Sequence, residues 1–160
     1  MLLICFSLFA FYSCRKPTKY PVEPAINFVN YSVATTLDSI FHVNQIKEVR
    51  LTFSFTDGDA DIGLGQGDTL APYDKNSIYY YNVVATYYEK KNGYFIEMYP
   101  KSYRIPPLAQ YANNKGIKGN VEIKMDLYTW GSDTVKYDLY IYDRALHKSN
   151  IISTPEILLK

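Results

Sequence analysis

Apolar and polar positions alternate along most of this chain. Val49, Leu51, Phe53 and Phe55 alternate with Arg50, Thr52 and Ser54. Val121, Ile123, Met125 and Leu127 alternate with Glu122, Lys124 and Asp126, and Val135, Tyr137, Leu139 and Ile141 with Lys136, Asp138, Tyr140 and Tyr142. Successive side chains of an extended strand point to opposite faces, so each run predicts a strand with one buried and one solvated face. Ile26, Phe28 and Tyr31-Ser32-Val33 predict a first strand. Residues 79–88, YYYNVVATYY, are β-branched and aromatic without a breaker and predict a third. Tyr94–Met98 follows Lys91-Asn92-Gly93, a hairpin-turn sequence, and Ile151–Leu159 closes the chain as a last strand. Breakers fall between the runs, at Gly58–Gly67, Pro100–Gly119, Gly131–Asp133 and Ser149-Asn150. The stretch 100–119 is too polar and broken for a strand and has room for a short helical turn. No helical period persists over three turns. The pattern predicts an all-β, antiparallel domain of about seven short strands, as a two-layer sandwich or a barrel.

Composition narrows the function classes. With 160 residues, 48% hydrophobic and 16% aromatic, the chain is an ordered single domain able to bury a core. A net charge of +1 provides no field to gather nucleic acid, so no nucleic-acid partner is expected. Two cysteines make neither a disulfide framework nor a four-thiolate zinc site. His42 and His147 are far apart and read as surface or turn histidines. There is no G-x-S-x-G, H-E-x-x-H or phosphate-cradling loop, and the expectation is a non-enzymatic protein.

Residues 1–13 contain no charge, Gly or Pro, and are too short to span a bilayer core, which needs about 20 residues. Their length suits a secretory h-region. Ser13-Cys14 follows, and then Arg15-Lys16-Pro17-Thr18-Lys19. This segment resembles a bacterial lipoprotein signal peptide, and its aromatic h-region ending in Ser-Cys is similar to those of Bacteroidota lipoproteins. Phe11 and Tyr12 stand where the family usually has Leu and a small residue. The resemblance implies a signal peptide at 1–13, a lipidated Cys14, a tether at 14–24 and a domain at 25–160. It also implies a lipoprotein of the outer membrane. Arg15-Lys16 replace the acidic surface-export tag of that group, which points to the periplasmic face. Cleavage removes Cys5 and acylation consumes Cys14, so thiol chemistry drops out of the mature domain. The other readings of 1–13 are an uncleaved anchor or a buried N-terminal segment.

Two details favour the sandwich over the barrel. Tyr137 at the start of its strand resembles the tyrosine corner of immunoglobulin-like domains, whose hydroxyl bonds back to the preceding backbone. Asp143-Arg144-Ala145-Leu146-His147-Lys148-Ser149-Asn150 resembles the polar turn before the last strand of immunoglobulin-like and fibronectin type III-like modules, with Leu146 and His147 in place of Gly and Asn.

The sequence Thr56-Asp57-Gly58-Asp59-Ala60-Asp61-Ile62-Gly63 follows the second strand. Carboxylates at every second position repel one another unless a cation sits among them. Calcium, a hard ion taking six to eight oxygens, fits that need. An EF-hand count from Asp57 puts Asp59, Asp61 and Asp68 at ligand positions. It also puts Ile62 where Gly is required, between strands rather than helices, so an EF-hand is excluded. Asp59-Ala60-Asp61-x-Gly63 resembles the Asp-Ala-Asp-x-Gly turn of cadherin-like domains. In a sandwich of this plan the loops after the second and sixth strands share a pole. Asp143 is therefore expected to join Asp57, Asp59 and Asp61 around Ca2+, facing the lipid tether. The competing reading is a turn chosen for backbone shape alone, its acids in water.

Tyr140 and Tyr142 lie opposite the core row of their strand. With neighbouring tyrosines they predict either an aromatic platform for a glycan or peptide, or cross-strand pairs that stabilise the sheet. The expectation is a lipid-anchored envelope accessory or interaction module, held to the membrane by its lipid and meeting an envelope protein or a glycan. The alternative is a glycan or peptide binder using the tyrosine face.

Overall fold

The computed structural model describes residues 19–37, 45–113, 116–128 and 132–160. Residues 1–18, with the proposed signal peptide and Cys14, lie outside them, as does His42. The strands are β1 (Ala25–Thr36), β2 (Ile46–Asp57), β3 (Val83–Lys91), β4 (Tyr94–Glu97), β5 (Lys101–Tyr103), β6 (Ile117–Leu127), β7 (Thr134–Ile141), β8 (Ile152–Ser153) and β9 (Ile157–Leu158). One antiparallel sheet has the order β1-β2-β6. The other runs β4-β3-β7-β8, with β5 also on β3 and β9 also on β7. This is the A-B-E against C-F-G order of the immunoglobulin plan, with β8 and β9 sharing the place of the last strand.

The core comes from the predicted alternation. Val49, Leu51, Phe53 and Phe55 of β2 are buried, as are Ile123, Met125 and Leu127 of β6. Val135, Tyr137, Leu139 and Ile141 of β7 meet them from the second sheet in one cluster with Val83 and Ala85 of β3. The β3–β4 hairpin turns on Asn92 and Gly93, at φ 52° and 84°. Two left-handed residues match the twist of the flanking strands, and Gly adopts that conformation without a steric penalty.

Among the described residues there are nine strands where about seven are expected, because a proline cuts the last run in two and β5 is added to the pattern. Pro155 separates β8 from β9, and Pro100 separates β4 from β5. Lys101–Tyr103 is therefore a strand, paired with Val83–Ala85, inside the stretch read as too broken for one. The rest of that stretch holds one 3-10 turn, Ala109–Tyr111.

Two other expectations are corrected. The third strand begins at Val83 and not at Tyr79. The Ser77 hydroxyl accepts the Tyr79 amide at 3.0 Å and so supports a turn there. Buried Asn82 then accepts the Ile105 amide at 2.7 Å through its side chain and opens the strand. Tyr137 is not a tyrosine corner. It sits inside β7 with its ring stacked on Tyr87, centroids 5.3 Å apart, and its buried hydroxyl has no hydrogen-bond partner among the described residues. Burial pushes that hydroxyl's pKa far above the usual tyrosine range.

The inward rows matter for function. Continued past the apolar residues, the row of β2 ends on Asp57 and the row of β7 ends on Asp143. Both aspartates are buried, at 0% and 2% exposure.

Candidate metal centre

The two buried aspartates end at one pole. The Arg144 amide, just after β7, donates to Asp61 Oδ1 at 3.4 Å. The loops after β2 and β7 therefore meet, as the sandwich plan predicts.

The turn after β2 gathers three carboxylates. One oxygen each of Asp57, Asp59 and Asp61 lies within 4.8 Å of the others. Asp57 is buried, Asp61 half-buried and Asp59 exposed, so the group opens from the core to solvent. Ala60 between them adopts φ 63°, which curls the chain around the acids. Asp57 Oδ2 accepts the Asp61 amide at 2.9 Å. Asp57 Oδ1 is buried and has no hydrogen-bond partner among the described residues. None of the three forms an ion pair with a described residue.

The electrostatics follow from this crowding. Burial, and then the charges of Asp59 and Asp61, push the Asp57 carboxyl up to about 7. Burial, and then the charges of Asp143 and Asp59, also raise Asp61. A carboxylate that resists ionisation beside two others is a site where a cation gains most by entering.

The remaining acids are committed elsewhere. Asp143 lies beside the trio, its charge acting on Asp61, and is bonded to His147: Oδ1 accepts the His147 amide at 2.7 Å and Oδ2 meets His147 Nδ1 at 2.8 Å. The Asp143 carboxylate in turn holds the His147 imidazole above its ordinary pKa. His147 thus sits in a turn, as read, but it also takes up both oxygens of a residue expected to be a ligand. Asp68 accepts the Gly65 amide at 2.6 Å and pairs with the Arg144 guanidinium at 2.5 and 3.1 Å. That fork ties the loop after β2 to the loop after β7. The Tyr73 hydroxyl adds to the tie by donating to the Arg144 carbonyl.

Nothing in the hydrophobic pattern points to the chain that approaches β1. The Tyr20 and Pro21 carbonyl oxygens press on Gly58, where a Cβ would lie 2.3 and 2.5 Å from them. Only a residue without a side chain admits that approach. Asn150 secures the start of β1: its Oδ1 accepts the Ile26 amide at 2.8 Å and its Nδ2 donates to the Ile26 carbonyl at 2.8 Å. An isolated Gly between two aspartates was the available signal, but it did not say which segment would lie against it.

Tyr140 and Tyr142 pack with one another edge to face at 5.5 Å, and Tyr79 meets Tyr142 at 5.0 Å. Lys148 Nζ stands 3.8 Å from the Tyr140 ring centroid. The aromatic cluster forms, and Lys148 occupies one face of its Tyr140 ring.

Among the described residues no helix is long and apolar enough to cross a membrane. No family model, no curated protein and no solved structure matches this chain.

Proposed function

We propose that this protein is a non-enzymatic, lipid-anchored envelope module whose Asp57–Asp61 turn binds calcium, and that the ion stabilises the pole nearest the anchor. One observation carries the metal reading: Asp57 Oδ1 is buried and unpartnered among the described residues, in a group of three carboxylates with no cation paired to them. A turn chosen for backbone shape alone gives no reason for a buried carboxylate oxygen without a donor, which costs roughly 1–3 kcal/mol. The donor set is all oxygen, which favours a hard ion over zinc or copper. An irregular oxygen set of mixed exposure suits calcium, which takes six to eight oxygens in flexible geometry, better than magnesium, which demands a near-ideal octahedron.

Thermal melting in EGTA, calcium and magnesium tests the reading. Calcium raises the melting temperature of the wild type, and the Asp59→Ala/Asp61→Ala double variant loses the shift. A shift that survives in the double variant places the metal elsewhere and ends the proposal.

The anchored, envelope-facing part rests on the apolar segment before Cys14 and its likeness to lipoprotein signal peptides. Intact mass of membrane-extracted protein tests it. The expected species begins at Cys14 and carries acyl chains; an unmodified full-length mass refutes the address. A glycan or peptide stacking on Tyr140 would have to displace Lys148 or use the opposite face of the ring, so the structural module is the preferred reading.

A further inference from the structure

We infer that cation binding at the Asp57–Asp61 turn and docking of residues 19–24 on the domain are coupled, so that the ion fastens the segment leading from the anchor. The inference rests on the metal reading above and adds what the ion does.

The coupling has a physical carrier. Gly58 lies between two candidate ligands, Asp57 and Asp59, and its bare α-carbon is the surface on which the Tyr20 and Pro21 carbonyls rest. Carbonyl oxygens carry partial negative charge. Against three carboxylates without a cation they are repelled, and with a divalent ion among those carboxylates the same oxygens are attracted. The next residues face the same pole: the charges of Glu23 and Asp59 both act on His147, which is held by Asp143. Of residues 19–24 only Pro24 is buried; Pro21 and Pro24 lack amide hydrogens, Val22 and Glu23 are exposed, and regular pairing with β2 begins only at Ala25. With Pro24 as its fixed end, the exposed stretch before it docks or releases at small free-energy differences, as a two-state element under ligand control requires.

Coupling of this kind is reciprocal: whatever the ion does for the segment, the segment does for the ion. Gly58→Ala is the discriminating variant. It leaves every carboxylate in place but sets a methyl group against the two carbonyls, 2.3 and 2.5 Å away. Gly58 does not have a left-handed φ, so alanine is acceptable to its own backbone.

Hydrogen exchange across residues 19–26 of the full chain in detergent, with calcium chloride or EGTA, tests the inference. A calcium titration by calorimetry accompanies it. In the wild type, calcium slows exchange at Ala25 and Ile26, where the segment enters β1 and the Ile26 amide is bonded to Asn150, by about tenfold, within the usual range of coupling. In Gly58→Ala exchange is fast with or without calcium, and calcium affinity falls by about the same factor. Pro21→Gly loosens the segment without altering the turn and is expected to weaken calcium in the same direction, which covers the case in which Gly58→Ala fails to fold. Calcium that binds the wild type but leaves these amides unchanged overturns the coupling alone. A wild type that takes up no calcium overturns the metal reading and the coupling together.

Discussion

Asp57 accepts the Asp61 amide on Oδ2 at 2.9 Å, while Oδ1 of the same carboxylate is buried without a donor among the described residues. One oxygen shapes the turn and the other is left for a ligand. Asp57→Asn keeps an acceptor for the Asp61 amide and replaces a buried anion by a neutral donor facing the other acids. Without calcium at pH 7.5 this variant is expected to melt roughly 2–6 °C above the wild type. It should show no calcium shift. Differential scanning calorimetry of both proteins in EGTA and in calcium checks this. A wild-type calcium shift in Asp57→Asn removes Asp57 from the site.

The pH dependence of the metal-free protein has a defined sign. The folded Asp57 carboxyl titrates at about 7, above its ordinary value of 3.8. A raised pKa means that the folded state holds a proton that the unfolded state has released. Its contribution is fully present below about pH 4 and is lost as the pH rises through about 7. Urea unfolding in EGTA from pH 4 to 8 should therefore show wild-type stability falling relative to Asp57→Asn, by a few kcal/mol at most. Parallel curves for the two proteins contradict the prediction.

Tyr137→Phe tests the reassignment of that residue. In a tyrosine corner, losing the hydroxyl removes a hydrogen bond and destabilises. Here the hydroxyl is buried without a partner among the described residues, so phenylalanine relieves an unmet desolvation cost while keeping the stack on Tyr87. The expected change lies between neutral and about 2 kcal/mol more stable. Destabilisation beyond about 1 kcal/mol indicates that the hydroxyl has a partner and restores the corner reading.

Leu146 adopts φ 70°, the left-handed conformation that glycine takes in the turn it resembles. The Asp143 amide still reaches the His147 carbonyl at 3.2 Å, so the turn forms despite its residue type. A non-glycine residue there costs about 1–2 kcal/mol, part of which glycine returns as unfolded-chain entropy. Leu146→Gly is expected to stabilise the fold by roughly 0.5–1 kcal/mol in equilibrium denaturation. A loss instead means that contacts of the leucine side chain outweigh the strain.

Much of the architecture is legible in local pattern. A period of two assigns faces along β2, β6 and β7, because alternate side chains of a strand must lie on opposite sides. Extending the row Val49-Leu51-Phe53-Phe55 by one step already puts Asp57 on the core face. The same step past Ile141 puts Asp143 there. The turn Asn92-Gly93 is equally local, since its conformation depends on two residues. Pattern and structure part where a side chain replaces a backbone partner or an edge is left open. Tyr79–Tyr81 are aromatic enough for a strand, but Ser77 and Asn82 bind backbone around them and delay β3 to Val83. Lys101–Tyr103 looks like a loop, and becomes β5 because β3 offers an unpaired edge beyond Pro100.

The all-β class, the inward rows and the three acids of one turn are local properties, because each follows from neighbours a few positions apart. Folding in three dimensions selected which acids stay together. Asp143 and Asp68 carry the same carboxyl group as Asp59, yet His147, four residues on in the same turn, takes the oxygens of Asp143, and Arg144, brought across from the loop after β7, takes those of Asp68. It likewise decided that Tyr20 and Pro21 lie on Gly58. That contact depends on where the chain enters β1 relative to the end of β2, a relation set by antiparallel pairing across the sheet rather than by any local preference.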